Sequence, residues 1–298
     1  MTAAEENVRA GRLDEALADL QGQVRKKPAD AKLRTFLFQL LAVRGDWDRA
    51  LTQLKVVSDL DPSTVAMVKT YQEALRCELL RAEVFAGRKT PLLFGKPAEW
   101  MALMLQAVSL GAAGKFEEAK SLRDRAFEEA PATTGKIDDQ PFAWIADADQ
   151  RLGPMLEAIV NGKYYWIPFS RLREIRIEKP TDLRDIAWTA VNLLLANGGE
   201  AVGLVPTRYP GSETASDSRL VMARSTEWVE HPGETFFGVG QRLLATDQGE
   251  VGIMDIRSIK LDSVVDGEGE GQQGEGEGAA PAGDPAEAPA IAPTSEPK

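Results

Sequence analysis

The chain has 298 residues, room for two domains or one large one, and its 43% hydrophobic and 27% charged composition is ordinary for a water-soluble fold. Its formal charge of −11 is concentrated at one end: Asp266 to Lys298 holds eight acids and one base, which leaves −4 for residues 1–265. A near-neutral body excludes the broad basic surface of a nucleic-acid-binding protein. One cysteine, Cys77, and one histidine, His231, give too few ligands for a zinc site and too little imidazole chemistry for a hydrolytic triad.

The opening MTAAEENVRAGR carries acids where a signal peptide has a basic and then an apolar run. No stretch approaches the roughly 18 apolar residues of a membrane span. The lone thiol points to a reducing compartment without disulfides. The expected location is cytoplasmic.

A 34-residue period runs through the first half. AGRLDEAL (10–17) and RGDWDRAL (44–51) align Gly11 with Gly45, Ala16 with Ala50, Leu17 with Leu51, and further on Pro28 with Pro62. AGKFEEAK (113–120) is a third copy, matching at Gly114, Ala119 and Pro131. The period and the residue classes are those of the tetratricopeptide helix-turn-helix unit. Glycine closes the first helix of a pair, alanine lets the helices approach, and proline stops the second helix. Trp47 and Phe116, at equivalent turn positions, are expected to pack on the preceding helix. STVAMVKTYQEALRCELLRAEVFAG (63–87) lacks the signature and reads as one long helix, with Cys77 as a small buried hydrophobe. The array is degenerate. It either offers a concave face to a peptide or helix, or scaffolds the second half.

DDQPFAWIADADQRLGPMLEAIVNG reads as a linking helix over 141–162, with Gly162 as its cap. Beyond it the period changes to short apolar or alternating runs broken by Gly, Pro, Asn and Asp, the pattern of antiparallel strands. LLANGGEAVGLV and ATDQGEVGI are hairpins. His231, in EHPGE, reads as a surface turn. The predicted fold class is α+β. A tetratricopeptide-like α-solenoid (1–140) and the linking helix precede a small, mostly antiparallel β domain (163–262). A Gly/Glu/Pro/Ala-rich acidic tail (263–298) has too little apolar surface to order itself.

In NGKYYWIPF (161–169), strand alternation puts Tyr164, Trp166 and Pro168 on one face and Tyr165, Ile167 and Phe169 on the other. Both faces are apolar, so this is a seam strand. One face fills the β core, and the other packs on the linking helix or receives a partner.

Chemistry candidates are sparse. The acid pairs Asp147/Asp149 and Asp182/Asp185 are the only ones that could suggest carboxylate catalysis, and they fit caps or ion pairs, with Arg184 a ready partner, far better. TRYPGS (207–212) lacks the spacing and lysine of a phosphate loop, and FGVGQR (237–242) lacks a dinucleotide context. Arg208 and Tyr209 are either binding anchors or packing residues. The candidates for partner contact are Tyr165, Trp166, Phe169, Asp182, Arg184, Arg208 and Tyr209. No catalytic, metal or cofactor residues are expected.

WIADADQRLGPMLEAIVNGKYYWIPFSRL, followed by KPTDLRDIAW and GLVPTRYPGS, closely resembles the ImpE family, also called SciE or TagJ, over residues 1 to about 262. The resemblance implies a non-enzymatic cytoplasmic adaptor encoded with type VI secretion systems. Such an adaptor binds the N-terminal helix of the small sheath subunit (VipA or TssB) and is linked thereby to sheath assembly or to recycling by a ClpV-type ATPase. The tail after Val265 falls outside the family pattern. The competing readings are a hydrolase using Asp182 or Asp185 near Arg208 and Tyr209, and a general repeat-type chaperone for another client.

Overall fold

A computed structural model describes residues 2–263, so the acidic tail expected at the C-terminus lies, from residue 264 on, outside the described residues. Seven helices occupy the first half: α1 (Ala3–Arg9), α2 (Leu13–Lys26), α3 (Ala31–Val43), α4 (Trp47–Leu60), α5 (Val65–Phe85), α6 (Glu99–Ala112) and α7 (Phe116–Glu129). Their boundaries follow from the repeat chemistry. Gly11, Gly45 and Gly114 take φ of 76°, 70° and 76° and turn the chain between the members of each pair. Ala16, Ala50 and Ala119 are buried where the paired helices approach. Pro28, Pro62 and Pro131 each stand two residues beyond a helix end. Thr2 and Glu5 form a reciprocal capping box on α1, and the Asp30 side chain caps α3.

The expected linking helix does not form. Residues 135–168 instead supply β2 (Gly135–Ile137), β3 (Gln140–Phe142), β4 (Ile145–Asp147), β5 (Met155–Val160) and β6 (Lys163–Pro168), while the short β1 (Leu92–Leu93) lies between α5 and α6. MLEAIV is an apolar run that periodicity cannot assign, but Gly153-Pro154 before it and Asn161-Gly162 after it leave only six residues, too few for a packed helix. Asn161 and Gly162 have φ of 49° and 69° and join Val160 to Lys163 as a two-residue hairpin turn, so Gly162 is a turn residue and not a helix cap.

The remaining strands are β7 (Leu172–Ile177), β8 (Trp188–Leu195), β9 (Glu200–Pro206), β10 (Thr226–His231), β11 (Thr235–Gly240), β12 (Leu243–Thr246), β13 (Gly249–Gly252) and β14 (Ser258–Leu261), with a helical turn, α8 (Ser218–Val221), where SRLVMARS reads as strand. Both predicted hairpins form, as β8–β9 and β12–β13. A nine-stranded sheet runs β1-β6-β5-β9-β8-β7-β14-β2-β3, antiparallel throughout except for the β1–β6 pair. A three-stranded sheet, β13-β12-β4, and the β10–β11 hairpin complete the β part.

The large sheet is apolar on both faces because both are covered. One face carries Ile159, Tyr164, Trp166 and Trp188 into the same core as Phe38, Leu41 and Leu75 of the helices. The other carries Leu156, Ile167, Phe169 and Val205 onto Leu244, Ile253 and Ile256. The NGKYYWIPF strand is therefore a seam, but its helix-facing side packs on the repeat array itself, with Trp166 and Phe85 of α5 at a ring separation of 5.7 Å. Trp47 and Phe116 have ring partners in the β part: Trp47 lies 6.1 Å from Trp188, and Phe116 stacks on His231 at 4.7 Å. His231 is correspondingly a strand residue with a ring partner rather than part of a surface turn. The described residues form one contact unit, in which helices and strands share a core.

Candidate functional site

An open cleft of about 830 Å³ lies between the first helices of the repeats, α1 and α3, and a wall donated by the β part. Val8, Leu33, Phe36, Leu183, Ile186 and Met222 give it an apolar lining, and Glu5, Arg9, Lys32, Asp61, Asp182 and Arg224 surround that lining with charge of both signs. A helix ~10 Å across would fill this volume over about two turns.

The β-side wall is held by local chemistry. Residues Leu183–Ile186 make a short helical turn, and the Asp185 carboxylate accepts from the N–H groups of Thr181 and Asp182, both at 2.7 Å. Arg184 pairs with Asp182 at 2.6 Å and lays its guanidinium over the Tyr71 ring at 4.8 Å. On the other side of the cleft Arg224 donates to the Arg9 carbonyl at the end of α1, at 2.9 Å. Wall and helices are thus tied to one another.

Between α5 and the sheet lies a buried polar network of which no residue lines the cleft. Arg81 of α5 donates to both carboxylate oxygens of Glu157 on β5, at 2.7 and 3.1 Å, and to the Arg208 carbonyl at 2.8 Å. Glu157 also accepts from the Tyr164 hydroxyl and from Arg242, and Arg242 bonds Asp147 as well. Glu78 accepts from the Trp188 indole at 2.9 Å. Asp149, fully buried, pairs with Arg151, whose guanidinium lies over the rings of Phe237 and Phe85 at 4.2 and 5.0 Å.

Burial raises the Asp147 carboxyl to about 6 even though Arg242 opposes the rise. Burial acts the same way on Glu157, but there Arg81 and Arg242 together win and hold it near 2. The signal that could have found this network is a single charged residue inside an apolar run, Glu157 in MLEAIV; Arg81, among Glu78 and Glu83 on an amphipathic helix, gives no such signal.

The predicted partner-contact residues divide sharply. Trp166, Phe169, Arg208 and Tyr209 are 4% exposed or less and present no surface to a partner. Arg208 spends its guanidinium on the carbonyls of Val43, at the end of α3, and Val221. The Tyr209 hydroxyl bonds the Leu243 backbone. Tyr165 is half-buried and meets Phe94 edge-on in the second core. Only Asp182, exposed, lines the cleft; Arg184, half-buried, pairs with it from behind the lining. Asp182, Asp185, Arg208 and Tyr209 do not converge on one pocket: the two acids sit in the capped turn, Arg208 and Tyr209 in the interior. In TRYPGS the Ser212 hydroxyl is consumed by the Tyr209 carbonyl and the Gly240 N–H. Among the described residues no three His, Cys, Asp or Glu side chains gather to hold a metal ion, and no helix is long and apolar enough to cross a membrane.

Comparison with known proteins places this architecture. Residues 8–75 match the tetratricopeptide repeat model, and residues 139–260 match the model of the ImpE protein family. The crystal structure of protein VPA1032 from Vibrio parahaemolyticus has the same fold, with a TM-score of 0.80 and 22% identity over 87% of this chain and 97% of that one. The type VI secretion system accessory component TagJ of Pseudomonas aeruginosa is 54% identical over 259 residues, 87% of this chain and 91% of its own length. The resemblance carried by the WIADADQRLGPMLEAIVNGKYYWIPFSRL stretch thus extends along most of the molecule, and the chain belongs to the ImpE family.

Proposed function

We propose that this protein is a cytoplasmic, non-enzymatic adaptor of a type VI secretion system. In this reading its repeat cleft takes the N-terminal helix of the small sheath subunit and so serves sheath assembly or ClpV-linked recycling. The observation that carries the reading is the cleft itself: an apolar lining with room for about two helical turns, surrounded by residues of both charges, the complement of an amphipathic helix. The 54% identity to a type VI accessory component supports the setting. The buried positions of Arg208 and Tyr209 remove the constellation on which the hydrolase reading rested.

The test is titration of the full chain with a peptide of the sheath subunit's N-terminal helix, followed by fluorescence anisotropy. Saturable binding that Phe36→Asp abolishes, with circular dichroism unchanged, is the expected result. Failure to saturate at tens of micromolar, a generous ceiling for a transient adaptor, would exclude the reading. Equal binding of unrelated amphipathic helices would favour a general chaperone.

A further inference from the structure

A second groove, sharing no residue with the cleft, lies where the end of α7 meets the three-stranded sheet, with a volume of about 440 Å³. Phe127 and Trp144, 39% and 41% exposed, flank it, and Pro131, Pro154 and Ala146 line its floor. Phe127 can lie there only because residue 153 is glycine: a Cβ on Gly153 would stand 2.3 Å from its ring.

The backbone along one side is a sheet edge closed by its own chain. β4 is the last strand of its sheet, Ala148 donates inward to Leu243, and the outward Asp147 N–H is taken by Gly153. The charge is one-sided. No basic residue lines the groove, Asp147 in its wall is neutralised by Arg242, and exposed Glu250 stands at the rim. A second exposed acid, Asp247, holds the Ala143 N–H beside Trp144 at 2.7 Å.

We propose that this groove is a second docking site, for a segment of a partner protein that presents an apolar side chain flanked by lysine or arginine. The apolar side chain sits between Phe127 and Trp144, and the flanking cation meets Glu250 and Asp247. The aromatic slot supplies the apolar contact and the acidic rim the charge complement.

Random peptides displayed on phage and selected on the immobilised full-length chain test it. The expected winners are apolar sequences with basic flanks. As synthetic peptides measured by anisotropy, they should lose at least about tenfold in affinity to Trp144→Ser and to Glu250→Lys, and nothing to Phe36→Asp. The last result separates this site from the cleft, so either can fail alone. Glu250→Lys changes an exposed side chain and keeps the test valid if Trp144→Ser perturbs folding. Selection of acidic sequences, or of binders indifferent to both substitutions, overturns the proposal. So does sedimentation showing a dimer that Trp144→Ser dissociates, which would make a second copy the occupant.

Discussion

Arg81 on α5 and Glu157 on β5, 76 residues apart, meet in the interior with Nε donating to Oε1 at 2.7 Å, and through this pair the helical array grips the sheet. A buried ion pair adds little over well-packed apolar residues, but removing one partner strands the other in a medium that cannot solvate it. Arg81→Met would leave Glu78 without its cation and Glu157 with Arg242 alone. The expected cost is about 3–5 kcal/mol, read as a fall in the urea midpoint at unchanged slope.

The same network sets a pH dependence. Asp147 titrates near 6 in the fold against 3.8 as a free side chain, so the folded state holds its proton longer than the unfolded one. Its contribution to stability is full below about pH 3.8 and is lost as pH rises through about 6. Glu157, held near 2 against 4.5, runs the other way: its contribution is full above about 4.5 and is lost as pH falls through about 2. Asp147→Asn should therefore flatten the decline in stability between about pH 4 and 6 and leave the acid limb in place. Urea midpoints across that range measure it; an unchanged slope would refute the assignment to Asp147.

The network also shows what the sequence could and could not reveal. The 34-residue period was legible because glycine caps, alanine contacts and proline stops are local devices, each acting within its own helix pair. The hairpins at Asn197-Gly198 and Asp247-Gln248 were legible for the same reason. Misreading MLEAIV as helix has a physical origin: a strand buried on both faces shows no alternation, and only its bracketing turns betray its length. Arg208 and Tyr209 were ambiguous because residues that anchor interfaces also anchor interiors. The burial of Arg208 depends on a helix more than a hundred residues away, as the Val43 contact shows, and that of Tyr209 on the β10–β11 hairpin and β12. The cleft is composite, with Phe36 from one half and Ile186 from the other, and no local pattern announces it.

Arg208 closes α3. Its guanidinium donates to the carbonyls of Val43 and Val221, which would otherwise be buried without a cationic partner. Burial lowers its pKa to about 10, which still leaves it charged at neutral pH. Arg208→Met should cost about 3 kcal/mol, the worth of two charge-assisted bonds less the packing retained. Hydrogen exchange should localise the loss to the last turn of α3, and uniform acceleration across the fold would argue against a capping role.

Trp166 is fully buried between Phe85 and the sheet, and its indole donates to the Tyr164 hydroxyl at 2.7 Å. Trp166→Ala should destabilise by about 3–5 kcal/mol through the cavity it leaves. Near the melting temperature, peptide binding should fall only in proportion to the unfolded fraction. Weakened binding by a fully folded variant would instead place Trp166 in the partner's path.

The cleft depends on a helix that cannot stand alone. α1 has seven residues, well short of what an isolated helix needs, and it carries Glu5, Val8 and Arg9 into the cleft. Its C-terminal carbonyl at Arg9 is held by Arg224, an exposed residue on the opposite wall. Arg224→Ala therefore removes one tie at the C-terminal end of α1, while Ala4 and Val8 keep the helix on the core. The expected result is a melting temperature changed by no more than a degree or two, the scale of a surface contact in a chain of this size. If the cleft takes the sheath helix as proposed, affinity for that peptide should meanwhile fall about five- to tenfold, as the last turn of α1 frays and part of the binding free energy goes to reordering it. Restoring the donor with Arg224→Lys should recover part of the loss, since a lysine ammonium can reach a carbonyl but cannot reproduce the planar fork. Equal affinity in all three proteins would mean that the partner helix does not use the α1 wall.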